Sequence, residues 1–342
     1  MFRKICFILW DKEVIRMSLY KYSQKALSAQ AKELGFITNG LEKMLRLINV
    51  LQQLNRDPLL KASLALKGGT AINLTIFNLP RLSHDIDFDY AIPLDREKTL
   101  VSRGEVTGKL IELMEASGYE LKPERSKKTH ALDSFFFSYV NVGSGIEALK
   151  IEINYSLRAH VLPTIIRFVD LLDGSLGNLV IHSVHPIEIF ASKIAALLSR
   201  ASPRDLYDLN NMVYYGLFDE SELLMLKKCV VFYNAIGGKE SWLNPGRVRA
   251  ITSYGTKTQL LSMLRKGDGF DLQAAKERVH GFLSELLRLE EGEKLFLQAF
   301  SRGDYRPELL FDEQGILERI RNHPMAIWKT KNLPGKSGNA GK

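Results

Sequence analysis

Asp85 and Asp87, two residues apart in Ser83-His84-Asp85-Ile86-Asp87-Phe88-Asp89-Tyr90, are of the type and spacing for metal-assisted phosphate chemistry. If Asp85 to Tyr90 is a strand, side chains alternate between its faces, so Asp85 and Asp87 point one way and Ile86 and Phe88 the other. Two carboxylates about 7 Å apart on one strand face can hold Mg²⁺ against phosphate oxygens, because hard cations take oxygen ligands. Asp89 shares the face by parity and is expected at its periphery. Upstream, Ala62 to Lys67 is short, apolar and closed by Gly68-Gly69, which predicts a buried strand ending in a sharp turn. Two glycines let backbone approach a ligand with no Cβ in the way. Thr70 is expected to cap a short helix from Ala71 to Phe77. A strand end, free backbone N–H groups and a helix N-terminus together form an anion site suited to a triphosphate. A lone Gly-Gly is usually a turn, and a lone Asp-x-Asp is usually a solvated strand end. Their order, with one short helix between them, gives the combination its meaning.

Lys67-Gly68-Gly69-Thr70-Ala71 followed by Arg81-Leu82-Ser83-His84-Asp85-Ile86-Asp87-Phe88 resembles the AbiEii/AbiGii toxin family of nucleotidyltransferases. The resemblance implies a polymerase-β-like nucleotidyltransferase fold, hence an α+β domain with a small mixed sheet flanked by helices. It also implies a third carboxylate on a later strand, then a lysine and an aspartate on successive helices. Candidates stand in that order. Leu149, Ile151 and Ile153 alternate with Lys150, Glu152 and Asn154, which puts Glu152 on the polar face of an apolar strand. That face is either ordinary solvent surface or the place of a third metal carboxylate and general base. Aspartate is the more usual residue there in the wider fold, and Glu152 has the longer side chain.

Pro186 to Arg200 reads as a helix with Pro186 at its first position and an apolar stripe through Ile187, Phe190, Ile194, Leu197 and Leu198. Lys193 lies at the edge of the stripe, where lysines commonly snorkel. The resemblance implies that the Glu-x-x-Ala-x-Lys segment supplies a lysine that neutralises triphosphate charge. Ser202-Pro203-Arg204-Asp205-Leu206-Tyr207-Asp208-Leu209 opens the next helix, with Asp205 and Asp208 neighbours on one face. Asp205 suits a helix N-terminus by itself. The family pattern implies Asp208 as the site residue, paired with Lys193. The resulting expectation is a catalytic set of Asp85, Asp87, Glu152, Lys193 and Asp208. Asp85, Asp87 and Glu152 would bind metal, and Lys67, Gly68, Gly69, Thr70, Ser83 and Lys193 the nucleotide.

The elements that position these residues follow from periodicity. Tyr20 to Leu34 is a polar helix candidate. Asn39 with Glu42 has capping-box character, ahead of helically spaced Leu41, Met44, Leu45, Ile48, Leu51 and Leu54. Asp95 to Ser117 is a helix with Gly118 at its end. Tyr119–Lys122 and Leu132–Val142 are strands, the latter turning at Gly143-Ser144-Gly145 into Ala148–Tyr155. His160 to Asp170 has no clear pattern. Glu220–Phe232, Thr256–Leu264, Leu272–Leu289 and Glu293–Phe300 look helical. The organisation expected is a possible extension over 1–16, since Met17 offers an alternative start, then a nucleotidyltransferase domain over 17–175. A helical C-terminal domain over 176–328 and a disordered basic tail over 329–342 follow.

The 342 residues, 45% hydrophobic and 25% charged, are those of a globular protein. Cys6 and Cys229 allow neither a disulfide framework nor a metal quartet, and suggest a reducing cytoplasm. His130, His182 and His185 form no metal-spaced set with them. The apolar run at 5–10 is too short for a membrane span. The net charge of +8 divides into +2 in residues 1–16, +6 in 319–342 and zero between, so it does not by itself argue for nucleic acid. The resemblance implies Mg²⁺ with an NTP co-substrate, a tRNA 3′ end or other RNA as acceptor, and a cognate antitoxin. A small-molecule or protein hydroxyl as acceptor, kinase chemistry, or non-catalytic nucleotide binding are the alternatives.

Overall fold

The computed structural model describes residues 23–169, 179–237 and 243–332. Helix α1 (Gln24–Leu34) is capped by Ser23, whose hydroxyl accepts the Ala26 N–H; the expected start at Tyr20 lies outside the described residues. Helix α2 (Thr38–Arg56) buries the apolar stripe that its spacing predicts. Its start corrects the capping-box expectation. Ile37 holds the cap position without a side-chain bond, and Asn39 lies inside the first turn. Glu42 instead accepts the Val142 N–H at 3.1 Å and pairs with Arg46 at 2.8 Å. Glu42 therefore ties α2 to a distant turn rather than to its own first residues.

Helix α3 (Pro58–Ser63) leads into strand β1 (Leu64–Lys67), shorter than the expected Ala62–Lys67. Helix α4 begins at Gly68, not Ala71. It spans Gly68–Ala71 and runs without a break into a π-helical turn at Ile72–Ile76. Thr70 is therefore inside the helix and does not cap it. Its hydroxyl lies against the Asp85 carbonyl and 2.8 Å from Ser83 Oγ. A carbonyl only accepts, so Thr70 donates to Asp85 and Ser83 donates to Thr70.

The sheet is completed by β2 (Asp85–Tyr90), β3 (Glu120–Leu121), β4 (Lys127–Lys128), β5 (Leu132–Val140), β6 (Ile146–Asn154), β7 (Ile165–Val169) and β8 (Leu179–Ser183). Strand order is β3-β5-β6-β2-β1-β8-β7, with β4 also on β5. It is mixed: β2 runs parallel to β6 and antiparallel to β1, and β5–β6 is an antiparallel hairpin. The sheet runs on to Ser183, past the boundary expected at 175, because β8 pairs with β1. Between β2 and β3, helix α5 (Arg96–Ala116) is capped by Asp95, with Gly118 (φ 82°) turning the chain away.

The C-terminal part is helical: α6 (Pro186–Arg200), α7 (Pro203–Tyr214), α8 (Glu220–Gly237), α9 (Ser253–Gln259), α10 (Leu272–Leu286), α11 (Glu291–Ser301), α12 (Gln314–Ile320) and α13 (Pro324–Lys331). The expected helix over Thr256–Leu264 is α9 followed by a separate 3₁₀ turn at Leu261–Met263. Helix α13 continues to Lys331, three residues into the expected tail; 333–342 lie outside the described residues. One continuous apolar core runs from Leu27 on α1 to Ala326 on α13, so sheet and helices share it. The fold is α+β, as the sequence implies.

Candidate active site

Strand register brings the predicted carboxylates together. Lys67 of β1, Asp87 of β2, Glu152 of β6 and Ser134 of β5 stand opposite one another in one lateral row. Asp85, Lys150 and Phe136 form the next. Directly opposed residues share a sheet face, so Asp85, Asp87 and Glu152 lie on one surface, with Ile86 and Phe88 buried on the other. Among the described residues, no hydrogen-bond donor or ion-pair partner reaches the Asp85 or Asp87 carboxylate. Burial pushes the Asp87 pKa up to about 6; Lys67 opposes this, and the charges of Glu152 and Asp85 add to it. Glu152 Oε1 lies 2.8 Å from Lys150 Nζ.

The glycine turn abuts this row. Gly68 has φ +69°, a left-handed conformation, and a Cβ there would sit 2.5 Å from Asp87 Oδ2. A Cβ on Gly69 would sit 2.7 Å from Arg81 Nη2. Thr70 and Ser83, expected at the nucleotide, are buried and bonded to each other, bracing the first residue of β2. Lys67 forms an ion pair with Asp89. Asp89 is buried, and His160 Nε2 lies 3.4 Å from its other oxygen. Burial alone would raise its pKa, but Lys67 and His160 outweigh that and hold it below the usual carboxylate range.

The helical wall carries a buried ion cluster. Lys193 Nζ on α6 lies 2.8 Å from Asp205 and 3.0 Å from Asp208, both on α7. The expected Lys193–Asp208 contact is therefore present, and Asp205 joins it. Arg81 completes the cluster with two parallel bonds to Asp208, each 2.7 Å, and both side chains are almost fully buried, at 2% and 1% exposed. Arg200 reaches Asp205 from the surface at 2.8 Å. Burial opposes the charges of Arg81, Lys193 and Asp208, yet the two aspartates raise the Lys193 pKa, and Arg81 with Lys193 lowers that of Asp208. A planar guanidinium gripping a carboxylate through two bonds fixes its orientation as well as its charge. Three cations against two carboxylates leave the cluster net positive beside the glycine turn.

The sequence profile described as Nucleotidyl transferase AbiEii toxin, Type IV TA system, matches residues 49–308. The chain belongs to the AbiEii nucleotidyltransferase toxin family. It is a nucleotidyltransferase, of the toxin class found in type IV toxin–antitoxin systems. Among solved structures, the nucleotidyltransferase toxin MenT4 of Mycobacterium tuberculosis H37Rv superposes with a TM-score of 0.62 at 16% identity, covering 90% of this chain and 99% of that one. A structure described as a nucleotidyltransferase from H. pylori gives 0.44 at 18% identity, over 71% and 92%. No curated protein matches the chain.

In this AbiEii-family fold the donor set suits a hard divalent cation. Two unpartnered carboxylates stand on one face, and a third opposes Asp87. Among the described residues, no three His, Cys, Asp or Glu side chains converge on one ion position. A cleft of about 610 Å³ opens elsewhere, between Phe77, Tyr207, Tyr214, Tyr215, Arg265 and Arg278, and includes none of the predicted site residues.

Two residues escaped the sequence reading. Arg81 was visible only as part of a motif, although an arginine inside Leu79-Pro80-Arg81-Leu82 suggests a buried partner, since arginine is seldom fully buried unpaired. Glu188, which opens the lysine segment of the AbiEii pattern, is fully buried. It accepts the Val161 N–H at 2.9 Å, the Leu162 N–H at 3.3 Å and the Tyr233 hydroxyl at 3.1 Å. It thereby ties α6 to the segment following β6 and to α8.

Proposed function

We propose that this toxin moves a nucleoside monophosphate from a Mg²⁺-bound NTP to a hydroxyl at the 3′ end of a tRNA. Asp85 and Asp87 would hold the metal, which supplies charge neutralisation at the phosphates and orients them. The observation that carries this reading is the unpartnered Asp85–Asp87 pair, one member with its pKa raised to about 6, set directly against the glycine turn. Gly68 and Gly69 offer close backbone approach and the start of α4 to the β- and γ-phosphates. Lys193, pinned by Asp205 and Asp208, presents its charge without having to reorganise, and Arg81 keeps Asp208 in place. Lys67 and the Thr70–Ser83 pair support the nucleotide site from beneath.

The acceptor oxygen attacks the α-phosphorus and forms the new P–O bond. The bond from the α-phosphorus to the bridging oxygen breaks, and pyrophosphate leaves. Glu152, opposite Asp87, takes the hydroxyl proton. The family's toxin–antitoxin setting supports growth inhibition restrained by a cognate antitoxin, phage defence being one such use. No described helix is long and apolar enough to cross a membrane. An RNA acceptor would be met in the cytoplasm, the location this reading expects.

The test is label transfer with Mg²⁺, total tRNA and each α-labelled NTP, beside Asp85→Ala and Lys193→Ala. Label entering tRNA with wild type and lost in both variants is expected. Label entering protein or a small molecule instead would replace the acceptor.

A further inference from the structure

The row containing Asp85 continues across the sheet. Asp85 stands opposite Lys150, and Lys150 opposite Phe136. Two strand spacings, roughly 10 Å, separate Phe136 from Asp85 on the same face. Its neighbours Phe135 and Phe137 point the other way and are 1% and 0% exposed in the core. Phe136 is only half-buried. The Arg125 guanidinium lies over its ring, 4.5 Å from the centroid, and Lys150 Nζ is 5.9 Å away. Lys43, from α2, reaches the same region. Its charge is weakened first by burial, and it feels Asp85, Glu147 and Arg125. Lys43, Lys122 and Arg125 line a recess of about 320 Å³ with Ser138 and the acids Glu124 and Glu147. Glu120 is engaged by Lys122 at 2.6 Å.

An aromatic ring among cations, in line with the carboxylates, has no use in the core. Nothing in the triphosphate site described above calls on it. Ring faces and guanidinium planes stack unpaired bases, while lysines track the phosphates that join them.

We propose that Phe136, Arg125, Lys43 and Lys150 form the acceptor subsite, in which the unpaired terminal base of an RNA stacks on the Phe136–Arg125 pair. The adjoining phosphate lies between Lys43 and Arg125, and the terminal hydroxyl reaches back toward Asp85 and Glu152. This rests on the RNA-acceptor reading given under Proposed function.

The experiment is steady-state label transfer to total tRNA, with the KM for tRNA and the KM for NTP determined separately. Phe136→Leu should raise the tRNA KM about tenfold, in keeping with the cost of losing one stacked base. Its NTP affinity by calorimetry and its melting temperature should stay at wild-type values. Phe136→Trp should restore the tRNA KM, which a packing defect would not allow. Arg125→Ala and Lys43→Ala should each weaken tRNA binding and flatten its salt dependence by about one phosphate contact. Wild type labelling tRNA while Phe136→Leu and Arg125→Ala keep its tRNA KM within twofold would overturn the subsite and leave the RNA reading intact. Wild type that labels no RNA would overturn both.

Discussion

Replacing Gly68 by alanine tests whether the glycine turn exists for the carboxylate beside it. The new Cβ would stand 2.5 Å from Asp87 Oδ2, where ordinary contact begins near 3.4 Å, so the carboxylate must move by about 0.9 Å. Asp87 has a short side chain, and its Cβ and Cγ are themselves only 3.3 Å from the new atom. The displacement therefore becomes a rotation of the carboxylate off its present aim. Misplacing a reacting group by about 1 Å costs on the order of 10²-fold in rate. Alanine at φ +69° also carries a backbone cost of about 1 kcal/mol. Gly118→Ala separates the two effects. Gly118 has φ +82° but nothing within 4 Å of its Cβ position. Both variants should melt about 2 °C lower. Only Gly68→Ala should lose about 10²-fold in α-label transfer. Gly68→Ala within threefold of wild type, with Asp87→Ala inactive, would refute the argument that the glycine is kept for the carboxylate.

Removing Arg81 as Arg81→Ala leaves Asp208 buried with Lys193 as its remaining close cation; about 3–5 kcal/mol should be lost in urea denaturation. Arg81→Lys should recover little of this, because an ammonium cannot reproduce two parallel bonds. Glu188 gives a pH dependence. Burial, partly offset by His160, Leu162, Tyr233 and Val161, pushes its pKa up to about 7 from 4.5. The folded protein then keeps a proton that the unfolded chain releases, so the stabilising contribution is complete below pH 4.5 and is lost as pH rises through 7. By linkage the change is about 3 kcal/mol. Urea midpoints measured from pH 5 to 8 should fall more steeply for wild type than for Glu188→Gln, whose side chain cannot titrate.

Alternation along single strands was enough to place Asp85, Asp87 and Glu152 on polar faces, because side-chain period is fixed by the backbone. It could not say that Asp87 and Glu152 stand directly opposite. That depends on β2 pairing parallel with β6 rather than with a sequence neighbour. The lysine and aspartate helices were legible from their proline starts and apolar stripes. The Arg81–Asp208 grip, between residues 127 positions apart, left no local trace. Thr70 and Asn39 were misread for a shared reason. Both are residues that favour caps, but a glycine at φ +69° starts α4 three residues ahead of the expected Ala71, and Glu42 is drawn away by Val142. Tertiary partners decided both. Phe136 was legible only as one residue within the strand expected over Leu132–Val142; its place on the carboxylate face follows from the β5–β6 register.

The most direct test follows both ends of the triphosphate at once. Wild-type protein is incubated with Mg²⁺, tRNA and the NTP labelled at either the α- or the γ-phosphorus, with and without chelator, beside Asp87→Ala. The account predicts α-label in tRNA and γ-label in free pyrophosphate, both abolished by chelator and by the substitution. γ-Label found covalently on any acceptor, or transfer undiminished in Asp87→Ala, would contradict it.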